Sequence, residues 1–329
     1  MDSTSLEKLK DCIAEGQRFV LTTHVNPDGD GLGSEAALAA YLEGLGKTVL
    51  ILNHNPVPQN YDFLDANHRM RVYDSTLHRE TVLTSDFVVV VDISDWGRLR
   101  ELGKDIRDTG VKIICIDHHP SQETFGDIRL IDTRASSTGE LVYDFLTFCN
   151  AVITKPMAEA LYTSILTDTG SFKFSNTTAK CLKIASELVG AGANPQEIFH
   201  RIYERQSRGK LKLLAYVLNN LHFEEDGKLV WFKIPQHVME NLGARASDTE
   251  GFADYPRVVD GVEVSIMFNE MENGKVKVSL RSKGNYVING IAQKFGGGGH
   301  AFAAGALLDN NGYDYAGALL EEVARLLKY

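Results

Sequence analysis

The chain has 329 residues, 43% of them hydrophobic and 24% charged, which is enough for two domains with cores of their own and excludes disordered and collagen-like classes. A formal net charge of −10 argues against a coat role on long nucleic acid, which needs a basic surface to release counterions. A small anionic substrate held by metals and a few local cations stays open. No apolar run approaches a membrane span, so no membrane association and a cytoplasmic location are expected. Cys12, Cys115, Cys149 and Cys181 are widely separated without C-x-x-C spacing and read as reduced core residues.

In chain order, Thr4-Ser5-Leu6-Glu7 reads as a capping box that opens a helix over 5–15, with Leu6, Leu9 and Ile13 on one face and Gly16 as its stop. The strand FVLTT follows and runs into TTHVNPDGDGLGS, residues 22–34. Leu38, Tyr41, Leu42 and Leu45 then recur at helical spacing, and TVLILN reads as the next strand. The continuously apolar runs FVVVVDI (87–93) and VKIICID (111–117) suit strands buried on both faces of a parallel sheet. Helical patterns over 138–148 and 156–166 complete an alternation that predicts a doubly wound, mostly parallel α/β domain over 1–194. A charged helical connector is expected over 195–222. From 223 to 329 LVWFKI, VEVSIMFNEM and KVKVSLRS alternate as antiparallel strands do, and a final helix over 315–327 closes a smaller α+β domain.

Ligands of open parallel sheets bind beyond the carboxyl ends of the strands. Those ends carry His24, Asp28 and Asp30 after the first strand, Asp92 after FVVVV, and Asp117-His118-His119 after VKIIC, with Asp168 closing a later helix. Each alone could be a turn or capping residue. Together they would crowd carboxylates that raise one another's pKa unless cations neutralise them. The donor count exceeds the need of one ion and predicts two divalent ions sharing a carboxylate. Mixed His and Asp ligation favours Mn2+, with Mg2+ or Co2+ also admissible.

The pattern H-x-x-x-D-x-D at His24, Asp28 and Asp30, with Asp92, the triplet Asp117-His118-His119 and Asp168, resembles the motifs of the DHH phosphoesterase family. Gly296-Gly297-Gly298-Gly299-His300, with Gly305 after it, resembles the family's associated C-terminal domain. The resemblance implies an active site in an interdomain cleft. It assigns His24, Asp28 and Asp92 to one ion and Asp30, Asp92, His118 and Asp168 to the other, with Asp92 as the bridge. Asp117 would orient an imidazole, and His119 would face the scissile phosphate. Arg281, Ser282, Gly297, Gly298, Gly299 and His300 would bind substrate, Arg281 as a phosphate fork and the glycines by close backbone approach.

Within the family, Ser136 to Glu140 and Thr167 to Phe172 are most similar to bacterial oligoribonucleases that also remove the 3′-phosphate of 3′-phosphoadenosine 5′-phosphate. Short oligoribonucleotides and that bisphosphate are therefore the expected substrates, and a homodimer is admissible. The alternatives are a soluble phosphodiesterase for linear or cyclic dinucleotides, a manganese pyrophosphatase and a catalytically dead nucleotide-binding protein.

Overall fold

A computed structural model describes residues 3–107, 109–120, 125–271, 273–309 and 315–328. The chain divides into two compact units, Met1–Arg205 and Gln206–Tyr329. The expected connector is two helices, one in each unit, instead of a separate segment.

The first unit has strands β1 (Arg18–Thr22), β2 (Thr48–Asn53), β3 (Met70–Val72), β4 (Phe87–Val91), β5 (Lys112–Asp117) and β6 (Ile128–Ile131). Its helices are α1 (Ser3–Glu15), α2 (Gly29–Gly44), α3 (Ser75–Leu83), α4 (Arg100–Arg107), α5 (Thr138–Phe148), α6 (Lys155–Asp168), α7 (Ala179–Gly190) and α8 (Pro195–Tyr203). Helix α1 begins at Ser3, so Thr4 lies inside it and does not cap a start at residue 5.

The strands form one sheet in the order β3-β2-β1-β4-β5-β6, with every pair parallel. Strand residues alternate between two cores: Phe19, Leu21, Val89, Val91, Ile114 and Ile116 pack with α1, α2 and α5 to α8. Val20, Val88, Val90, Ile113 and Cys115 pack instead with Val82 of α3 and with Leu102 and Ile106 of α4. That alternation explains why the runs read as continuously apolar. The strand order reverses between β1 and β4, which opens a crevice at their carboxyl ends.

The second unit contains α9 (Arg208–Asn219), β7 (His222–Glu224), β8 (Leu229–Ile234), α10 (Gln236–Leu242), β9 (Val264–Glu270), β10 (Lys275–Ser282), α11 (Asn289–Lys294), β11 (Gly298–His300), β12 (Ala303–Asp309) and α12 (Tyr315–Lys328). Its sheet runs β11-β12-β10-β9-β8-β7. The expected antiparallel order is interrupted, because β8 and β9 pair in parallel. The crossover between them carries α10 and two 3-10 turns, a length that permits the parallel return. Leu229, Ile266, Phe268, Val278 and Leu280 face one core with α11 and α12. Phe232, Ile234 and Met267 face another beneath α9, α10 and the turn Phe252–Val258.

Candidate metal centre

The crevice between β1 and β4 is built from the motif at residues 24–30. Asp28 caps α2: its Oδ1 accepts the N–H of Asp30 at 3.0 Å and of Gly31 at 3.3 Å. Its other oxygen lies 3.7 Å from His24 Nε2. One aspartate thus serves the turn and the cluster together. Gly33 lets α2 approach α6, since a Cβ there would stand 2.3 Å from the Ala160 carbonyl oxygen.

Asp92 follows β4 with φ of +62°, a left-handed conformation costly for a residue with a side chain and typical of functional sites. The backbone is fixed there by a 2.9 Å bond from its N–H to the Ile116 carbonyl. The buried carboxylate stands 3.3 Å from His24 Nε2 and 3.7 Å from His118 Nε2. His118 Nε2 also lies 3.5 Å from Asp30 and 3.6 Å from Asp168. Two three-residue donor sets result, His24-Asp28-Asp92 and Asp30-His118-Asp168, and Asp92 with His118 and His119 forms a third that overlaps both.

The imidazoles indicate what belongs between these carboxylates. His24 Nδ1 is 2.9 Å from the Val25 carbonyl and His118 Nδ1 is 3.3 Å from the Ala135 carbonyl. Those contacts make Nδ1 the donor on each ring and turn Nε2, the atom that would ligate a metal, toward acidic side chains. Among the described residues, the buried His118 Nε2 has no hydrogen-bond partner. Donor separations of 3.3 to 3.7 Å are close to the edge of a coordination polyhedron with bonds of about 2.1 Å. The acidic and histidine groups are positioned for metal binding.

The charge balance agrees. Burial and the Asp30 charge push the Asp92 carboxyl well above the ordinary carboxylate range, although His24 opposes them. Burial and the charges of Asp30 and Asp28 push Asp168 up to about 8. Burial acts against a charged His24, yet hydrogen bonds to Asp28 and Asp92 raise it to about 10. A site that draws protons this strongly lacks positive charge, and divalent cations would supply it.

His119 differs from its neighbour. Its Nδ1 lies 2.9 Å from Asp117 Oδ1, and the side chain is 36% exposed. Burial opposes the Asp117 charge, but hydrogen bonds from His119 and Ser94 hold its pKa below the usual value. Asp117 therefore stays ionised and orients His119.

Several supporting residues had no role assigned from the sequence. Asp30 accepts the N–H groups of Thr138 at 2.8 Å and Gly139 at 3.0 Å, at the N-terminus of α5 where the helix dipole favours an anion. It also accepts the Ser164 hydroxyl, while Thr138 Oγ1 donates to Asp92 at 3.1 Å. Asn176 donates to Asp168 Oδ2 at 3.3 Å. Behind β1, buried Glu35 accepts Asn53 Nδ2 at 2.8 Å, and Asn53 Oδ1 accepts the Thr23 N–H at 3.0 Å.

Burial raises the Glu35 carboxyl to about 8 from 4.5. Between those values the folded chain keeps a proton that the unfolded chain has released, so this group lowers stability as pH rises through the interval. Glu35→Gln cannot ionise. Its stability relative to the parent is expected to climb from pH 4.5 to about 8 and level off above, as read by urea melts across that range. Parallel curves would refute the assignment.

In the second unit the substrate-binding candidates are arranged differently. Gly298 to His300 form β11, an edge strand paired with β12, and a Cβ on Gly297 or Gly299 would stand 2.0 Å from the Gly305 carbonyl oxygen or 2.6 Å from that of Ala303. Gly297 and Gly299 are thus required by strand packing, whereas a Cβ on Gly298 would meet nothing. Ser282 is buried, and its hydroxyl accepts the Gly284 N–H at 3.2 Å. Arg281 lies 3.6 Å from Asp254 and is 30% exposed; His300 is exposed. Arg281 pairs with Ala303 and Ala303 with His300, so the two side chains share one sheet face.

Among the described residues no helix is long and apolar enough to cross a membrane. Residues 18–165 match the DHH family, N-terminal domain, and residues 233–329 match the DHHA1 domain. A Thermus thermophilus protein named "Bifunctional oligoribonuclease and PAP phosphatase NrnA" is 33% identical over 311 residues, covering 94% of this chain and 90% of its own length. A Bacillus subtilis protein of the same name is 31% identical over 314 residues, with 94% and 95% covered. A solved exopolyphosphatase-related protein from Bacteroides fragilis has a TM-score of 0.93 at 27% identity and covers 100% of this chain and 98% of its own. The RecJ structure in complex with Mn2+ from Thermus thermophilus shares the fold, with a TM-score of 0.59 at 14% identity over 98% of this chain and 54% of that one. The His24-to-Asp30 motif, the Asp117-His118-His119 triplet and these full-length matches agree: the chain belongs to the DHH phosphoesterase family and carries a DHHA1 domain.

Proposed function

We propose that this enzyme hydrolyses short oligoribonucleotides to nucleoside 5′-monophosphates and removes the 3′-phosphate of 3′-phosphoadenosine 5′-phosphate to give AMP. The observation that carries the reading is the double donor set at the switch point, in a chain matched over 94% of its length by relatives bearing that name. His24, Asp28 and Asp92 would hold one ion, and Asp30, Asp92, His118 and Asp168 the other. The His and carboxylate donors favour Mn2+. Two such ions, when bound, supply Lewis acidity that acidifies water and offsets phosphate charge.

The remaining chemistry belongs to side chains. Asp117 holds the His119 Nδ1–H and leaves Nε2 to carry a proton to the departing oxygen. Asp30, gripped by the start of α5 and by Ser164, keeps one face of the cluster from shifting as substrate charge arrives. In the second unit, Arg281 and His300 would grip the nucleotide beyond the scissile bond, over a floor of small residues that includes Ser279, Ala303 and Gly305. The exposed edge glycine Gly299 and its neighbours Gly297 and Gly298 would contribute backbone groups, and Ser282 would hold the turn beside Arg281.

A net charge of −10 disfavours the extended positive track that a long strand needs. With manganese, oligoribonucleotides of about two to five residues should therefore be degraded faster than long RNA, and the bisphosphate should also be hydrolysed. A panel that adds cyclic dinucleotides and pyrophosphate decides it; equal rates on a trimer and a long strand would remove the case. Arg281→Ala should raise KM by about tenfold on these substrates, the loss expected for one charge-assisted contact, with Mn2+ content unchanged. Unchanged kinetics would remove Arg281 from the substrate site.

A further inference from the structure

The segment that leaves Asp168 is strained and tightly held. Gly170, Ser171 and Phe172 have φ of +55°, +61° and +62°, so two residues with side chains in succession adopt the left-handed conformation. Three kinds of contact hold them there. The N–H groups of Lys173 and Phe174 both donate to the Thr169 carbonyl at 3.0 Å. Phe172 packs edge-on to Tyr162 with ring centres 6.0 Å apart, and Ser171 is hydrogen-bonded to Tyr203. Asn176 then returns the chain to its start, donating to the Asp168 carbonyl at 3.1 Å, its carboxylate at 3.3 Å and the Ser136 carbonyl at 2.9 Å.

This loop presents Phe174. The side chain is 58% exposed and, among the described residues, has no aromatic partner. The ring lies against Gly170, where a Cβ would come within 2.4 Å of it, so the absence of a side chain there lets the ring rest on the backbone. Gly170 is two residues from Asp168, so their Cα atoms lie at most about 7 Å apart, and the ring that rests on Gly170 belongs to the loop leaving the cluster. An exposed apolar ring costs solvation unless something covers it, and the strained backbone beneath it is over-determined by contacts on both sides.

We propose that Phe174 is a stacking platform for a nucleobase of the substrate whose phosphate sits at the histidine and aspartate cluster. The inference rests on the nucleotide reading above and adds a contact on the catalytic unit that sees the base and not the phosphate. Every base has a π-face, so such a platform gives affinity without base preference. It would add base recognition to a histidine and aspartate cluster whose own groups recognise phosphate and charge.

The test is steady-state kinetics with manganese on a ribodinucleotide and on two analogues, each lacking one base. Phe174→Ala is expected to raise KM for the intact dinucleotide by about tenfold, the order that one base–aromatic stack contributes, with kcat within about twofold. Phe174→Trp should restore KM, and Phe174→Leu, which keeps apolar bulk without a π-face, should not. For one abasic analogue the parent enzyme should already show the raised KM, and Phe174→Ala should add nothing. An unchanged KM in Phe174→Ala, rescue by Leu equal to that by Trp, or an equal penalty on both abasic analogues and the intact substrate overturns the platform. A parent enzyme that turns over none of the three with manganese overturns the nucleotide reading, and the platform with it.

Discussion

Asp92→Asn is expected to lower manganese-dependent hydrolysis by at least about a thousandfold and to reduce bound Mn2+ below two per chain. Asp92 is the carboxylate common to both histidines, 3.3 Å from His24 and 3.7 Å from His118, so its charge is shared between the two donor sets. Removing that charge leaves each ion short of a ligand and leaves Asp28, Asp30 and Asp168 to repel one another. Asparagine is the informative substitution, because Asp92 has φ of +62° and asparagine tolerates the left-handed region far better than alanine. Asp92→Ala should be equally inactive but also less stable. Metal content by mass spectrometry, thermal melting and turnover separate loss of ligand from loss of fold. Full activity of the parent enzyme in excess chelator would sink the metal assignment altogether.

His119→Ala should reduce kcat by about a hundredfold to ten-thousandfold, the range for loss of a general acid, while Mn2+ content stays near that of the parent. The two neighbouring histidines are separated by their partners. His118 turns an unpartnered Nε2 toward Asp30, Asp92 and Asp168, whereas His119 is held through Nδ1 by Asp117 and is 36% exposed. Asp117→Asn should follow His119→Ala at smaller amplitude, because an amide holds the His119 Nδ1–H less firmly than a carboxylate does. His118→Ala should instead lose metal first. A metal-empty His119→Ala protein would show that the wrong imidazole was assigned to the phosphate.

Local patterns carried much of this architecture. Short unbroken β-branched runs suit strands covered on both faces, so β4 and β5 were legible, as were the helices at 138–148 and 156–166. The histidine and aspartates of residues 24–30 were legible as a group because they share one turn, and strand ends in a parallel sheet collect on one edge whatever the loops between them do. Short strands such as β3 and β6 lack enough residues for a period to show. The parallel pairing of β8 and β9 was hidden too, since alternation reports that a strand has two faces and says nothing of its neighbour's direction.

The sequence by itself supplied the candidate donors, their order along the chain and the class of fold that gathers them. Only the tertiary structure decided how each donor is aimed. Asp30 is gripped by Thr138, Gly139 and Ser164, which lie 108, 109 and 134 residues away, and no spacing rule reaches across such intervals. The same holds for the strained backbone of Asp92, for the different hydrogen-bond partners of His118 and His119, and for the pairing of Gly298 and Gly299 in an edge strand. Side-chain direction follows from hydrogen bonds and packing between distant segments, and these exist only once the sheet has brought their ends together.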